Sequence, residues 1–431
     1  MLFQKIAVFS ETGELLSDCD IRVENGTISE ISKTPLAPKE GETCYNGAGK
    51  LLAPAFFNAH AHAPMTLLRG WGENLVLQDW LNTRIFPFEA RLTEQDIYLG
   101  TQLAIAEMVR GGAVSSTEMY FGGESMARAA TEAGVKMNLS VAVTCFDDRS
   151  LYDQARFQEQ LKLGKEWHNA ANGRFRVDLG MHAEYTSNPR IVKEMAEYAK
   201  ESGLRMQVHL SETKRETDEC GERHGKTPAR YFYDLGLFDV PTTAAHCVWV
   251  TPDDMDLLKE KDVTVASCPA SNMKLASGFC NVPLLLEKGV RVALGTDGAA
   301  SNNSLNMMAD MKLLALAAKG AFSDPCVVSP QQAFYAATRA GALSQGREES
   351  GVIRVGAAAD LQVIRMDTPW WVPGHNAAAD LVYAAQSSDV CLTMCDGEIL
   401  YQDGVYTTLD IERISYEARR AAQRIAKEIS A

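Results

Sequence analysis

The sequence predicts an α/β protein: a (β/α)8 TIM-like barrel carrying a small β-sandwich domain built from both chain termini. Three observations predict it. Eight short apolar runs alternate with amphipathic helical segments between Leu51 and Thr296, the pattern of parallel strands joined by crossover helices. Helix start and stop residues separate those runs. The two ends of the chain instead carry short strand-like segments and turn glycines. A doubly wound open sheet is the alternative arrangement of the same elements.

The elements follow in chain order. Residues 1–54, with "KIAVFS" and "CDIRVENGTISEIS", form the first part of the terminal β domain. The catalytic barrel is expected over residues 55–349. Its candidate strands are "LLAPAFFN" from Leu51, "AVSSTEMY" from Ala113, "VKMNLSVAV" from Val135 and "RFRVDLGMH" from Arg174. Then come "LRMQVHL" from Leu204, "TTAAHC" from Thr242, "VTVASC" from Val263 and "VRVALGT" from Val290. Thr93 precedes an apolar-periodic stretch that stops at Gly111-Gly112, an N-cap and a terminal glycine in the expected order. Asn188-Pro189 starts a helix whose Ile191, Val192, Met195 and Tyr198 share a face, and Thr251-Pro252-Asp253 starts another. Residues 350–408, with "GVIRVGAAADLQVIRM" and "VCLTMCDGEILYQDGVY", supply the second part of the β domain, and 409–431 a C-terminal helix. Neither β segment can bury much alone, so the two are expected to pair.

Composition excludes several functional classes. The 431 residues carry 42 Lys and Arg against 56 Asp and Glu, a formal charge of -14, so no basic footprint for nucleic acid or an anionic membrane exists. No apolar run reaches the length of a membrane span, and "MLFQKIAVFS" lacks a signal-peptide layout. The ten cysteines are scattered, and Cys391 and Cys395 read as buried strand residues. A reducing cytoplasm is the expected setting.

The stretch "FFNAHAH" then places His60 and His62 one residue apart, on the same face of a strand. Two imidazoles aimed at one point are half of a metal site. His182, His209 and His246 end the fourth, fifth and sixth candidate strands, and Asp297 ends the eighth. Parallel barrel strands deliver their C-terminal ends to one face, so these distant residues converge there. The expected metal shell is His60, His62, His209 and Asp297. Three imidazoles and a carboxylate suit a borderline divalent ion, Zn2+ first, with Fe2+ or Mn2+ as alternatives. Such an ion lowers the pKa of a bound water toward about 7. Glu212, just past His209, is placed to carry protons beside that water, and His246 to hydrogen-bond it or the developing charge.

Each residue alone also has an ordinary reading. A lone strand-end histidine is more often a polar contact, which is the assignment for His168, His224 and His375. Asp297 alone could cap a turn, and Glu212 alone could be a solvated acid in "SETKRETDE". The set is what chance does not supply: five histidines and one aspartate, each at a separate strand end except the first pair.

Together "NAHAHAPMTLLRG", "HLSE", "AAHCVW", "SCPASNMKLASG" and "LGTDGAASNNSLNM" resemble the amidohydrolase superfamily. Within it they resemble the branch of 5'-methylthioadenosine and S-adenosylhomocysteine deaminases. The likeness covers nearly the whole chain. It implies one metal per chain, because the fourth strand ends in His182 without the bridging lysine of two-metal members. It implies that Glu89 binds the ribose hydroxyls of a nucleoside, a carboxylate being able to accept two hydrogen bonds at once, and that His182 contacts the purine ring. It also implies the chemistry: Glu212 protonates the ring nitrogen, Asp297 takes a proton from the attacking water, and His246 stabilises the emerging alkoxide.

Members favouring S-adenosylhomocysteine use arginines after the third strand to grip its carboxylate. Here Val141 stands at the closest matching position, with Arg149 and Arg156 shortly downstream. The implied substrates are therefore adenosine, 5'-deoxyadenosine and 5'-methylthioadenosine ahead of S-adenosylhomocysteine. The rival readings are a related aminohydrolase acting on guanine, pterin or triazine rings, including chlorohydrolysis, and a non-enzymatic relative. Relatives also imply a homo-oligomer. The segments Trp71–Glu89 and Phe146–Trp167 are expected to shape the pocket.

Overall fold

Leu361–Arg365 runs antiparallel to Lys50–Pro54, with Leu361 opposite Pro54 and Val363 opposite Leu52, so the two ends of the chain meet in one sheet. The computed structural model describes residues 1–9 and 14–430; residues 10–13 and 431, expected in the first β segment and the terminal helix, lie outside the described residues. The sheet has nine strands. From one edge they run Val405–Tyr406, Glu398–Gln402, Val390–Cys395, Leu361–Arg365, Lys50–Pro54, Leu2–Phe9, Leu15–Glu24 and Thr27–Ser32, with Cys44–Asn46 paired beside Leu2–Phe9. Alternation puts Phe3, Ile21, Leu52, Val363 and Leu392 into one apolar cluster. Cys391 and Cys395 are buried in that sheet as free thiols.

The remaining strands are parallel. They are β1 (Phe56–Ala61), β2 (Ala113–Met119), β3 (Lys136–Ser140 and Ala142–Val143) and β4 (Phe175–Val177 and Leu179–Met181). Then follow β5 (Met206–Leu210), β6 (Thr242–His246), β7 (Thr264–Ser267) and β8 (Arg291–Leu294). Hydrogen bonding orders one sheet as the first half of β4, the first half of β3, β2 and β1. The other runs from β8 through β7, β6 and β5 to the second halves of β4 and β3. Nearly every residue of these strands is buried, so they read as continuous apolar runs without alternation.

One expectation needs correction. "LLAPAFFN" is not a single strand. Lys50–Pro54 belongs to the terminal sheet and Phe56–Ala61 to the parallel set, with Ala55 between them donating its N–H to Asp360 O at 2.9 Å. Residues 51–61 are buried throughout, so hydrophobicity gives no sign of the change of partner.

Helix punctuation behaves as expected. Thr93 accepts from Asp96 N while the Asp96 carboxylate accepts from Thr93 N, a capping box that starts Glu94–Arg110. Asn188 caps Pro189–Ser202, which ends on left-handed Gly203, and Thr251 caps Pro252–Glu260. Asn306, rather than Asp297, caps Met307–Phe322, and the terminal helix spans Ile411–Ser430. Among the described residues no helix is long and apolar enough to cross a membrane.

Candidate active site

The ends of β1 and β8 are tied together below the site. Asn58 Nδ2 donates to Thr296 Oγ1 at 2.7 Å, Thr296 N donates to Asn58 Oδ1 at 3.0 Å, and Asp297 N donates to His60 O at 3.0 Å. Gly295 makes this approach possible, because a Cβ there would stand 2.9 Å from His60 Cβ. His60 and His62 share a face, as the strand period requires, and both reach Asp297 Oδ1, at 3.6 and 3.1 Å. His209 Nε2 from β5 lies 3.4 Å from His62 Nε2. Four residues from three strands thus meet at one point.

The hydrogen-bond partners fix which atoms face that point. His62 Nδ1 donates to Met119 O at 2.6 Å, and His209 Nδ1 donates to His182 O at 2.9 Å. Each Nε2 is left with its lone pair turned inward. Nε2 of His60 is buried without a hydrogen-bond partner among the described residues. Burial, foremost, holds His60 and His209 well below the ordinary imidazole range, so both are neutral donors. Burial alone would raise Asp297, but His62 beside it holds the carboxyl well below the usual carboxylate range. Converging lone pairs and an anionic oxygen repel one another unless a cation sits between them. The donor set therefore fits a divalent ion of nitrogen-and-oxygen preference.

Around this point stand the groups assigned to proton transfer. Glu212, after β5, and His246, at the end of β6, approach to 3.9 Å between Oε2 and Nε2. Burial, above all, raises the Glu212 carboxyl, against the opposing pull of His246. Asn272 Oδ1 accepts from His246 Nδ1 at 2.9 Å, which points Nε2 toward Glu212. Backbone strain gathers here: Ser211, His246 and Asp297 all have positive φ, at 48°, 71° and 61°.

A cleft of about 420 Å³ opens over these residues, lined by His62, His182, His209, Glu212, His246 and Asp297. Leu77, Trp80, Phe86 and Phe146 form apolar walls, as expected for the two segments flanking the pocket. Glu89 lines the cleft, with Tyr120 OH donating to its Oε1 at 2.6 Å. Burial, the larger effect, raises Glu89, and Tyr120 offsets part of this. His182 Nδ1 meets Thr186 Oγ1 at 2.9 Å, and because that hydroxyl donates to Ala183 O, His182 Nε2 remains an acceptor.

The remaining histidines and arginines take other places. His168 accepts from Val177 N at 3.1 Å, His224 pairs with Glu184 at 2.9 Å, and His375 is exposed. Arg149 pairs with Asp147 at the surface, whereas Arg156 reaches the cleft, its guanidinium 4.3 Å from the Phe121 ring centroid. Val141 is wholly buried and offers nothing to a ligand.

Several partners escaped the sequence reading. Ser271 and Ser301 both donate to Asp297 Oδ2 at 2.6 Å. Tyr120, Asn272 and Glu216 also had no role. Ser271 and Asn272 lie within "SCPASNMKLASG", so the motif held them without saying what they touch.

Comparison with known proteins agrees with this geometry. Residues 51–400 match the model of the Amidohydrolase family. The chain belongs to the amidohydrolase family. This amidohydrolase is 38% identical over 428 residues, 99% of each chain, to a 5-methylthioadenosine/S-adenosylhomocysteine deaminase of Dictyoglomus turgidum. It is 39% identical over 405 residues, 94% of each chain, to a 5'-deoxyadenosine deaminase of Methanothermobacter thermautotrophicus. An adenosine deaminase of Xanthomonas campestris, solved with bound zinc, superposes with a TM-score of 0.93 at 29% identity, covering 99% of this chain and 98% of that one.

Proposed function

We propose that this amidohydrolase deaminates adenosine-type nucleosides by hydrolysis: 5'-methylthioadenosine, 5'-deoxyadenosine and adenosine, with S-adenosylhomocysteine as a further substrate. The products are ammonia and the corresponding inosine analogue. The observation that carries the reading is the Glu212–His246 pair, 3.9 Å apart, beside the four-residue donor set in one cleft. The relatives named above as adenosine-type deaminases support it across nearly the full chain.

His60, His62, His209 and Asp297 would hold one divalent ion, Zn2+ first, with Fe2+ or Mn2+ as alternatives. Such an ion, when bound, activates water at neutral pH and polarises the bond it attacks. The protein's own residues do the rest. Glu212, whose carboxyl burial raises, protonates the ring nitrogen next to C6 and so draws electrons from that carbon. Asp297 takes a proton from the attacking water and passes it toward the leaving amine, while Ser271 and Ser301 fix its other oxygen. His246, oriented by Asn272, donates to the new oxygen on C6. As ammonia departs, the proton left on the new oxygen returns to Glu212, and the ring is left in the 6-oxo form with its nitrogen protonated.

Recognition follows the cleft walls. Glu89, with Oε1 taken by Tyr120, offers Oε2 to the ribose hydroxyls, and His182 accepts from the purine. Leu77, Trp80 and Phe86 suit small or apolar 5' groups. Arg156 is the one cation lining the cleft among the described residues and is where a carboxylate tail would be read.

The same proposal includes a closed (β/α)8 barrel, supported by the bonds between the ends of β1 and β8. It includes a terminal β-sandwich and divisions at 1–54, 55–349, 350–408 and 409–431. It also includes a cytoplasmic setting, supported by ten free cysteines, and a homo-oligomer, which sedimentation measurements would check. The deciding experiment presents the purified protein with the adenosine series, guanine, pterin, cytosine and triazines, and follows ammonia and ultraviolet absorbance. Turnover is expected with the adenosine series. Turnover confined to guanine, pterin or triazine would replace this reading, and none at all would favour the non-enzymatic relative.

A further inference from the structure

Glu216 lies in the first turn of the helix Lys214–His224, where an acid ordinarily turns outward to the helix end. Here it turns back into the protein. Its two oxygens are used separately: Oε1 accepts from Ser211 N at 2.9 Å and Oε2 from Glu212 N at 2.8 Å. Its own N–H donates to Thr213 Oγ1 at 3.2 Å, so the cap is made by an uncharged side chain. The residue is only 4% exposed.

We propose that Glu216 is a positioning residue for the acid Glu212, its carboxylate clamping the backbone N–H groups of Ser211 and Glu212. The proposal rests on the deaminase reading for what Glu212 does once it is placed. Ser211 carries the turn that lifts Glu212 off the end of β5, with φ of 48° in the left-handed region. Such a strained residue persists only where its surroundings hold it. The surroundings are visible on both sides of that residue. Glu216 holds its N–H, and Trp249 N donates to its C=O at 2.9 Å. Without the clamp the peptide could relax, and the Glu212 carboxyl would leave its place beside His246.

Helix capping alone does not explain the arrangement. Burial, and then the nearby charge of Glu212, push Glu216 up to about 8 against the pull of the backbone N–H groups of Glu212, Ser211 and Thr213. A second acid buried beside a first is costly. Thr213, an uncharged residue, already caps the helix without that cost.

The test uses Glu216→Gln, Glu212→Gln and the double variant, with metal content measured in each. Glutamine keeps the size but turns an N–H donor toward one of the two backbone N–H groups. Glu216→Gln is expected to lower kcat about 10- to 100-fold with KM within about threefold and metal unchanged. In the Glu212→Gln background the same change is expected to cost less than about threefold, because Glu216 acts through Glu212. A kcat within about threefold of the native chain, or equal losses in both backgrounds, would overturn the proposal. Amide exchange in the native chain judges the clamp without turnover or a variant. Ser211 and Glu212 amides exchanging as slowly as those of Met206–Leu210 support it, and rapid exchange overturns it whether or not the chain deaminates nucleosides.

Discussion

The Asp297 carboxylate stands 3.1 Å from the His62 imidazole, joining the end of the last parallel strand to the end of the first. Asp297 is buried and His62 nearly so, and burying two such groups is favourable only when their charge or lone pairs are matched. A divalent ion between them would supply that match. The site chemistry and the joining of the two strand ends thus depend on the same contact.

Removing a donor should therefore remove the ion. His60→Ala and Asp297→Ala are each expected to lose bound metal and activity together, measured by elemental analysis and ammonia release. Prolonged chelation of the native chain should abolish turnover and lower the thermal midpoint, with both restored by Zn2+. Stoichiometric metal retained in Asp297→Ala would show that the donor set is misassigned.

Glu212→Gln separates proton transfer from metal binding. The variant should keep its metal and lose about 100- to 10,000-fold in kcat. Turnover close to that of the native chain would remove Glu212 from the mechanism.

Glu89 offers a test of substrate class. With Oε1 held by Tyr120, its remaining oxygen is free for a ribose hydroxyl. Glu89→Ala is expected to raise KM for adenosine about 10- to 100-fold, the effect of one lost hydrogen bond to a charged group. A 2',3'-dideoxy analogue should show almost no change between the two proteins. Equal losses on both substrates would place Glu89 elsewhere in the reaction.

Far from the site, Lys136 Nζ bonds Asp360 at 2.5 Å and Asp396 at 2.6 Å, linking a parallel strand to the terminal sheet. Lys136→Met strands the buried Asp360 charge and should cost about 3–5 kcal/mol in urea unfolding. The sign with pH follows from Asp360. Burial alone would raise it, but Lys136 holds it below its ordinary value of 3.8. Its contribution is thus present above that value and lost as pH falls further. In the variant burial prevails and raises the carboxyl, so stability is gained on acidification. The gap between variant and native chain should narrow from about pH 7 to about pH 4.

How much was legible can be seen residue by residue. His60 and His62 were readable because strand period alone puts them on one face. His209, His246 and Asp297 were readable because each closes an apolar run, and parallel strands end together. The sheet to which Lys50–Pro54 belongs was not readable, since a buried strand has the same apolar pattern in either sheet. Arg149 and Arg156 could not be told apart either. Seven residues apart in a polar stretch, one faces solvent and the other the cleft.

Residue types, their strand-end positions and hence the class of chemistry follow from the sequence alone, because period and punctuation are local properties of the chain. Which lone pairs converge, that Tyr120 holds Glu89, and that Glu216 reaches back to Ser211 and Glu212 emerge from the folded chain. Those are contacts across strands and turns, and their partners are set by backbone direction and packing, which no local pattern encodes.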